Sequence, residues 1–263
     1  MITFISLLLT SLYIFLMTYF VSSVWYFILI WSITGIIVFY LSAGLFIVFF
    51  SILIMPLLKD DSKFKYFLLR SFARWLMVFL FWGRVKVIGR ENVPADGKLI
   101  IYANHKSKFD PGFVTQAIHR PHGYAVKSDL KEYPITKQIV ESMRSFYIFR
   151  EDNRETLKSL LYGIKMAEQG FAYVIFPEGG TMYRDQDKIT QVRPGSFKIA
   201  ERAQTDILPV SIIGSNFRKR KRCIFKPTLV TVVIHEVIPY DDIKDLTTNE
   251  ISDKVIEVIN SVL

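Results

Sequence analysis

Leu99-Ile-Ile-Tyr-Ala-Asn-His-Lys-Ser-Lys-Phe-Asp-Pro111 sets an unbroken apolar run directly before a polar turn. Such a run bounded by a turn reads as a strand, and its polar end is where open α/β sheets usually place their ligands. Working outward, similar short β runs occur at Val85–Ile88, Gly123–Val126, Phe146–Phe149, Ala172–Phe176, Ile207–Ile213 and Leu229–Val237. Helical patterns alternate with them. In Arg154–Gln169, residues Leu157, Leu160, Leu161, Ile164 and Ala167 follow i, i+3, i+4 spacing and Gly170 stops the helix; Ser196–Ala203 and Asp245–Leu263 are further helices. Strands alternating with helices predict an α/β domain over 85–263, with a sheet of about seven strands flanked by helices.

Upstream the chain changes character. Of its 263 residues, all 33 Lys and Arg and all 24 Asp and Glu lie from Lys59 onward. The uncharged Leu/Ile/Phe/Val-rich segment 1–58 excludes a small soluble binding module. About 20 helical residues cross a bilayer, so this segment crosses more than once or folds back. A two-helix membrane hairpin turning near Ser22-Ser23 is expected, with three short helices as the alternative. A cleaved signal peptide does not fit, because there is no basic n-region and no short h-region ending in an Ala-x-Ala site. Eight basic residues between Lys59 and Arg90, against Asp60 and Asp61, place the flank 59–84 and the following domain on the cytoplasmic side of the cell membrane by the positive-inside rule. Tyr66–Trp82 reads as a helix with Arg70 and Arg74 on one face and a continuous apolar run from Trp75, suited to the lipid interface; a core helix of the domain is the alternative. The net charge of +9 and the run Arg218-Lys-Arg-Lys-Arg222 suit anionic headgroups or a phosphorylated substrate better than nucleic acid. The single cysteine, Cys223, permits no internal disulfide, and no Cys/His cluster has metal-site spacing.

Three strand ends carry candidate chemistry. After Ala103 come Asn104, His105 and Asp110. Five residues on a straight helix separate two side chains by roughly 140°, so His105 and Asp110 meet only if the backbone turns between them. Pro111 favours that turn, and Asp110 is expected to cap the helix that begins there. A histidine oriented by a carboxylate can take a proton from an alcohol near neutral pH, as in a serine-protease relay whose serine is replaced by the substrate's own hydroxyl. There is no Gly-x-Ser-x-Gly elbow to supply a protein nucleophile. The second site is Phe176-Pro-Glu178-Gly179-Gly180-Thr181, whose glycines allow backbone N–H groups to approach an anion, while Glu178 could bind a polyol or hold a nearby Arg or Lys. The third is Phe146-Tyr-Ile-Phe-Arg150, a strand delivering a guanidinium suited to phosphate.

In this order, His105-x4-Asp110 behind Asn104, Phe-Tyr-Ile-Phe-Arg150, Phe176-Pro-Glu-Gly179 and Leu208-Pro209-Val210 resemble the four blocks of the glycerophospholipid acyltransferase family, and in particular its bacterial 1-acylglycerol-3-phosphate acyltransferases. The resemblance runs from about Val85 to about Val237. It implies a mixed sheet and a membrane-bound enzyme of phospholipid biosynthesis. That enzyme moves a fatty acyl group from a thioester, on coenzyme A or acyl carrier protein, to the free hydroxyl of lysophosphatidic acid. No further cofactor and no metal is implied. His105 is then the base and Asp110 its orienting partner. Asn104 shapes the turn, Arg150, Glu178 and Gly179 belong to blocks associated with the acceptor and its phosphate, Pro209 shapes the fourth block, and Lys127 resembles a lysine that reaches the phosphate. Two positions depart from the pattern. Gly180 precedes Thr181 where the third block usually runs directly to Thr-Arg or Thr-Ser, leaving Arg184 to supply the charge. Arg144 stands where the second block usually has Gly. Another lysophospholipid acceptor, acyl exchange between phospholipids, and a non-enzymatic protein binding anionic lipid are the alternatives.

Overall fold

The computed structural model describes residues 1–59, 61–80, 83–181, 186–216 and 228–263. They form two compact units, Met1–Leu58 and Lys59–Leu263.

The first unit is a pair of helices, α1 (Ile2–Phe20) and α2 (Trp25–Phe49), broken at Val21–Val24 as the Ser22-Ser23 signal predicts. α2 continues through a π-turn, Phe50–Ile54, and a 3₁₀ turn, Met55–Leu57. The helices touch where α2 is small: a Cβ on Gly35 would stand 3.1 Å from Ile14 Cδ1. One interhelical hydrogen bond joins the Tyr13 and Thr34 hydroxyls at 2.9 Å. Phe4, Phe15, Tyr19, Phe20, Trp25 and Leu45 are exposed on the outside of this unit. Both arms are long and apolar enough to cross a membrane.

The second unit is built on a seven-stranded sheet in the order β1-β7-β6-β2-β5-β3-β4. The strands are β1 (Gly83–Ile88), β2 (Leu99–Ala103), β3 (His122–Lys127), β4 (Phe146–Ile148), β5 (Ala172–Ile175), β6 (Asp206–Ile213) and β7 (Thr228–Ile234). β2 to β6 run parallel, β7 is antiparallel to β6, and β1 follows β7, so the sheet is mixed. Every residue of β2 is buried, which is why Leu-Ile-Ile-Tyr-Ala is continuously apolar. On one face α6 (Asn153–Glu168), α7 (Lys198–Ala203) and α8 (Thr248–Asn260) close a core around Tyr102, Tyr173, Ile175, Phe197, Ile199 and Val255. α3 (Lys63–Trp75), α4 (Asp110–Ala117) and α5 (Pro134–Ser142) complete the second unit's longer helices; α3 packs on α4, α4 on β1 and β7, and α5 on β3. Caps explain two helix starts. Asp152 accepts hydrogen bonds from the Arg154 and Glu155 amides, and Thr247 with Glu250 forms a reciprocal capping box on α8.

The helix expected at Tyr66–Trp82 begins earlier, at Lys63, where Ser62 accepts from the Lys65 amide, and its last regular turn gives way to a π-turn at Leu76–Leu80; Trp82 lies outside the described residues. Its buried side carries Lys65, whose Nζ donates to the Ser142 carbonyl at 3.0 Å, and Tyr66, whose hydroxyl donates to the His122 carbonyl at 2.8 Å. Phe64 and Phe67 are on the exposed side.

Candidate active site

Because β2 to β6 are parallel, their C-terminal ends share one edge, and that edge receives Asn104, Lys127, Arg150, Glu178 and Gly214. The β2–β5 register pairs Tyr102 with Ile175. Three residues further along each chain stand His105 and Glu178, where the backbones separate and a side chain bridges them: the His105 amide donates to Glu178 Oε1 at 2.6 Å.

The turn after β2 wraps around one carboxylate oxygen. Asp110 Oδ2 lies 2.9 Å from His105 Nδ1 and accepts from the Lys106 and Ser107 amides at 2.7 Å each. Asp110 was expected to cap the helix after it; instead α4 begins at Asp110 itself with no side-chain cap. Its carboxylate turns back because two amides and an imidazole N–H outcompete the single bond a cap would make. Asp110 is fully buried, whereas the His105 side chain keeps 16% of its surface. His105 stacks on Phe176 with ring centres 4.2 Å apart, and Phe176 stacks in turn on Tyr124. With Nδ1–H given to Asp110, Nε2 is the basic nitrogen of the neutral ring.

Behind this turn the polar groups are satisfied internally. Asn104 Nδ2 donates to the Ile212 and Asp187 carbonyls at 2.8 and 3.0 Å, while its Oδ1 accepts from the Ile212 amide at 2.7 Å. Its amide thus continues the β2–β6 ladder as an extra peptide would. Glu178 Oε2 pairs with Lys106 Nζ, both side chains being fully buried. Burial pushes the Glu178 carboxyl above its ordinary range, against the pull of Lys106 and the His105 amide. Of the two roles open to Glu178, the geometry gives it the lysine partner and no outward-facing oxygen for a polyol. Pro209 lies within β6 opposite Tyr102. Its carbonyl accepts from His235, and with Ile207 paired to Ile238 the partner strand bulges, so the proline's missing N–H falls where the ladder is already interrupted.

The other half of the site is open. Arg150 is exposed and its guanidinium donates to the Gly179 carbonyl. Gly179 has φ +65°, and a Cβ there would come within 2.7 Å of Arg193 Nε; a Cβ on Gly180 would come within 3.2 Å of Arg150 Nη2. The two glycines therefore let two guanidinium groups close on one turn. Arg193 was not foreseen: it lies fifteen residues beyond Glu178 in sequence. Thr181 follows this turn, and Arg184, like Arg218–Arg222 and Cys223, lies outside the described residues. Lys127 ends β3 but pairs with Asp129 on its own turn. Arg144 has φ +52°, a left-handed backbone of the kind glycine adopts readily, at the position where the second block usually has Gly. Arg144 precedes β4 while Arg150 follows it, so this departure sits at the edge of the sheet opposite His105. Among the described residues no group of three or more His, Cys, Asp or Glu is arranged to hold a metal ion.

The acyltransferase family model matches residues 84–213. The chain is 29% identical to the 1-acyl-sn-glycerol-3-phosphate acyltransferase of Borreliella burgdorferi, over 68% of this chain and 73% of that protein. It is 32% identical to a probable enzyme of the same name from Mycoplasma pneumoniae, over 54% of each chain. A Chlamydomonas reinhardtii protein of that name is 29% identical over 59% of this chain, and the match spans 47% of the algal protein, about half its length. The crystal structure of the 1-acyl-sn-glycerophosphate (LPA) acyltransferase PlsC from Thermotoga maritima shares the fold, with a TM-score of 0.66 at 24% identity, covering 100% of this chain and 96% of that one. With the strand-end histidine, its buried aspartate and the ordered blocks around them, these matches identify the domain that carries the site as a member of the acyltransferase family.

Proposed function

We propose that the protein acylates 1-acylglycerol-3-phosphate, taking the acyl group from a thioester on coenzyme A or acyl carrier protein and giving phosphatidic acid. The observation that carries this reading is the His105–Asp110 pair, in which a partly exposed imidazole is fixed by a carboxylate oxygen with three donors. His105 Nε2 takes the proton of the acceptor hydroxyl as its oxygen attacks the thioester carbon. The C–O bond forms, the tetrahedral intermediate collapses with loss of the C–S bond, and the imidazolium returns its proton to the departing sulfur. Asp110 fixes the tautomer and stabilises the imidazolium. Arg150 and Arg193 face the phosphate of the acceptor from either side of the Gly179-Gly180 turn, and Lys127 and Thr181 lie toward the same substrate.

The hairpin holds the enzyme in the cell membrane with its domain on the cytoplasmic side, as the basic flank from Lys59 supports. Phe64 and Phe67, exposed on the helix that follows the anchor, suit the headgroup boundary, where an apolar side chain enters lipid beside a basic one such as Arg74. The partners are then membrane lipids, lysophosphatidic acid and the acyl carrier, with no nucleic acid.

Mass spectrometry of products from purified full-length protein, given labelled acyl-coenzyme A or acyl carrier protein and a panel of lysolipids, tests this. Phosphatidic acid should dominate, and His105→Ala should lower turnover at least about a thousandfold. Faster acylation of a lysolipid without a terminal phosphate would overturn the acceptor assignment, and substantial turnover by His105→Ala would overturn the base.

A further inference from the structure

Lys106 is fully buried, an expensive place for an ammonium unless it is paired. Its backbone and its side chain serve two different carboxylates. The amide donates to Asp110 Oδ2 at 2.7 Å and the ammonium pairs with Glu178 Oε2. Those carboxylates hold His105 from two sides, Asp110 through the ring nitrogen at 2.9 Å and Glu178 through the backbone amide at 2.6 Å.

We propose that Lys106 is a positioning residue for catalysis, acting through Glu178 to hold the backbone of His105; this rests on the reading of His105 as the base. The path is continuous: ammonium to carboxylate, carboxylate to amide, amide to the Cα that carries the imidazole. Without the cation, burial drives the Glu178 carboxyl toward its neutral form. A neutral acid accepts the His105 N–H more weakly, and its own O–H must find another acceptor. The turn then loosens on the side that Asp110 does not hold. Phosphate recognition, which lies on the exposed Arg150 and Arg193, is untouched by that loosening.

A double-mutant cycle in full-length protein, reconstituted in lipid nanodiscs, tests the assignment. Lys106→Met and Glu178→Gln each leave one buried ionisable group without its partner, and each should lower kcat about thirtyfold with the KM of both substrates held within about twofold. The double variant buries no charge at this position and should recover to within about fivefold of the wild type. Wild-type kcat in Lys106→Met, a loss that falls on KM, or additive losses in the double variant would overturn the proposal. If Lys106→Met does not fold, the double variant decides: a kcat above that of Glu178→Gln supports the role, and one equal or lower overturns it. His105→Ala is measured alongside. Turnover in that variant defeats the base itself, whereas an inactive His105→Ala beside a fully active Lys106→Met defeats only the role of Lys106.

Discussion

The two halves of the site, a few residues apart across β2 and β5, are built on opposite principles. On the base side Asn104, Lys106, Asp110 and Glu178 are all buried, and each forms hydrogen bonds or an ion pair within the turn and its neighbouring strands. On the side proposed to receive the acceptor, Arg150 and Arg193 are exposed, and two glycines keep the turn beneath them narrow. The proton transfer proposed for His105 needs one nitrogen fixed within hydrogen-bond reach, which desolvated and strong supports provide. Phosphate recognition tolerates more latitude, since long guanidinium side chains adjust to a tetrahedral anion, and exposure lets the ligand enter.

The sharpest way to break the contrast is Asp110→Asn. Asn can keep its oxygen under the three donors and turn its NH2 toward the position of Oδ1, which has no hydrogen-bond partner among the described residues. The fold should survive while kcat falls by about a hundredfold or more, measured under saturating substrates. A smaller loss would mean that the charge matters less than the geometry.

His122 probes the buried half through pH. It is fully buried beside Tyr66 of α3, with Nδ1 2.8 Å from the Arg120 carbonyl and Nε2 3.2 Å from the Tyr124 hydroxyl, and burial lowers its pKa to about 4. In the unfolded chain it titrates near pH 6.5, so its contribution to stability is complete above that pH and is lost as pH falls toward 4. The loss should amount to about 3 kcal/mol, read as the pH slope of unfolding, and a neutral replacement such as His122→Asn should flatten it.

Arg150→Ala or Arg193→Ala should raise the acceptor KM about tenfold with little change in kcat, an effect that shrinks as salt is added. A comparable loss in kcat would erase the division between the halves. Arg144→Gly serves as the control remote from both: relief of its left-handed backbone should raise stability by at most about 1 kcal/mol, seen in thermal unfolding, and leave both kinetic constants alone.

Much of this was legible in the sequence where one signal dominates. All seven strands were expected, with ends within three residues: unbroken apolar runs mark β2, β5 and β6, which are buried on both faces, while β1 and β7 alternate in burial. The His105–Asp110 pairing was implied by the family resemblance and was compatible with a turn that Pro111 favours. What escaped depends on partners distant in sequence. α5 is short, opens with exposed Tyr133 and Ile135, and owes its place to β3 and to Lys65 rather than to its own periodicity. The inward turn of Glu178 required the β2–β5 register, and Arg193 required its closeness to Gly179 in space. The departure at Arg144 is legible in the sequence, but only its φ shows that the position takes a left-handed backbone.

The π-turn at Phe50–Ile54 lengthens one arm of the anchor and not the other. α1 has 19 residues and measures about 28 Å, while the apolar run from Trp25 to Leu57 has 33 and measures about 50 Å. A hydrocarbon slab about 30 Å thick matches the first arm alone. In such a slab the second would have to lean, or run along the boundary for its final turns, at a cost of a fraction of a kcal/mol for each ångström of mismatch. In a bilayer, the thickness set by the chain length and unsaturation of the surrounding lipids would then be a mechanical input to the proposed reaction, whose product is itself a membrane lipid.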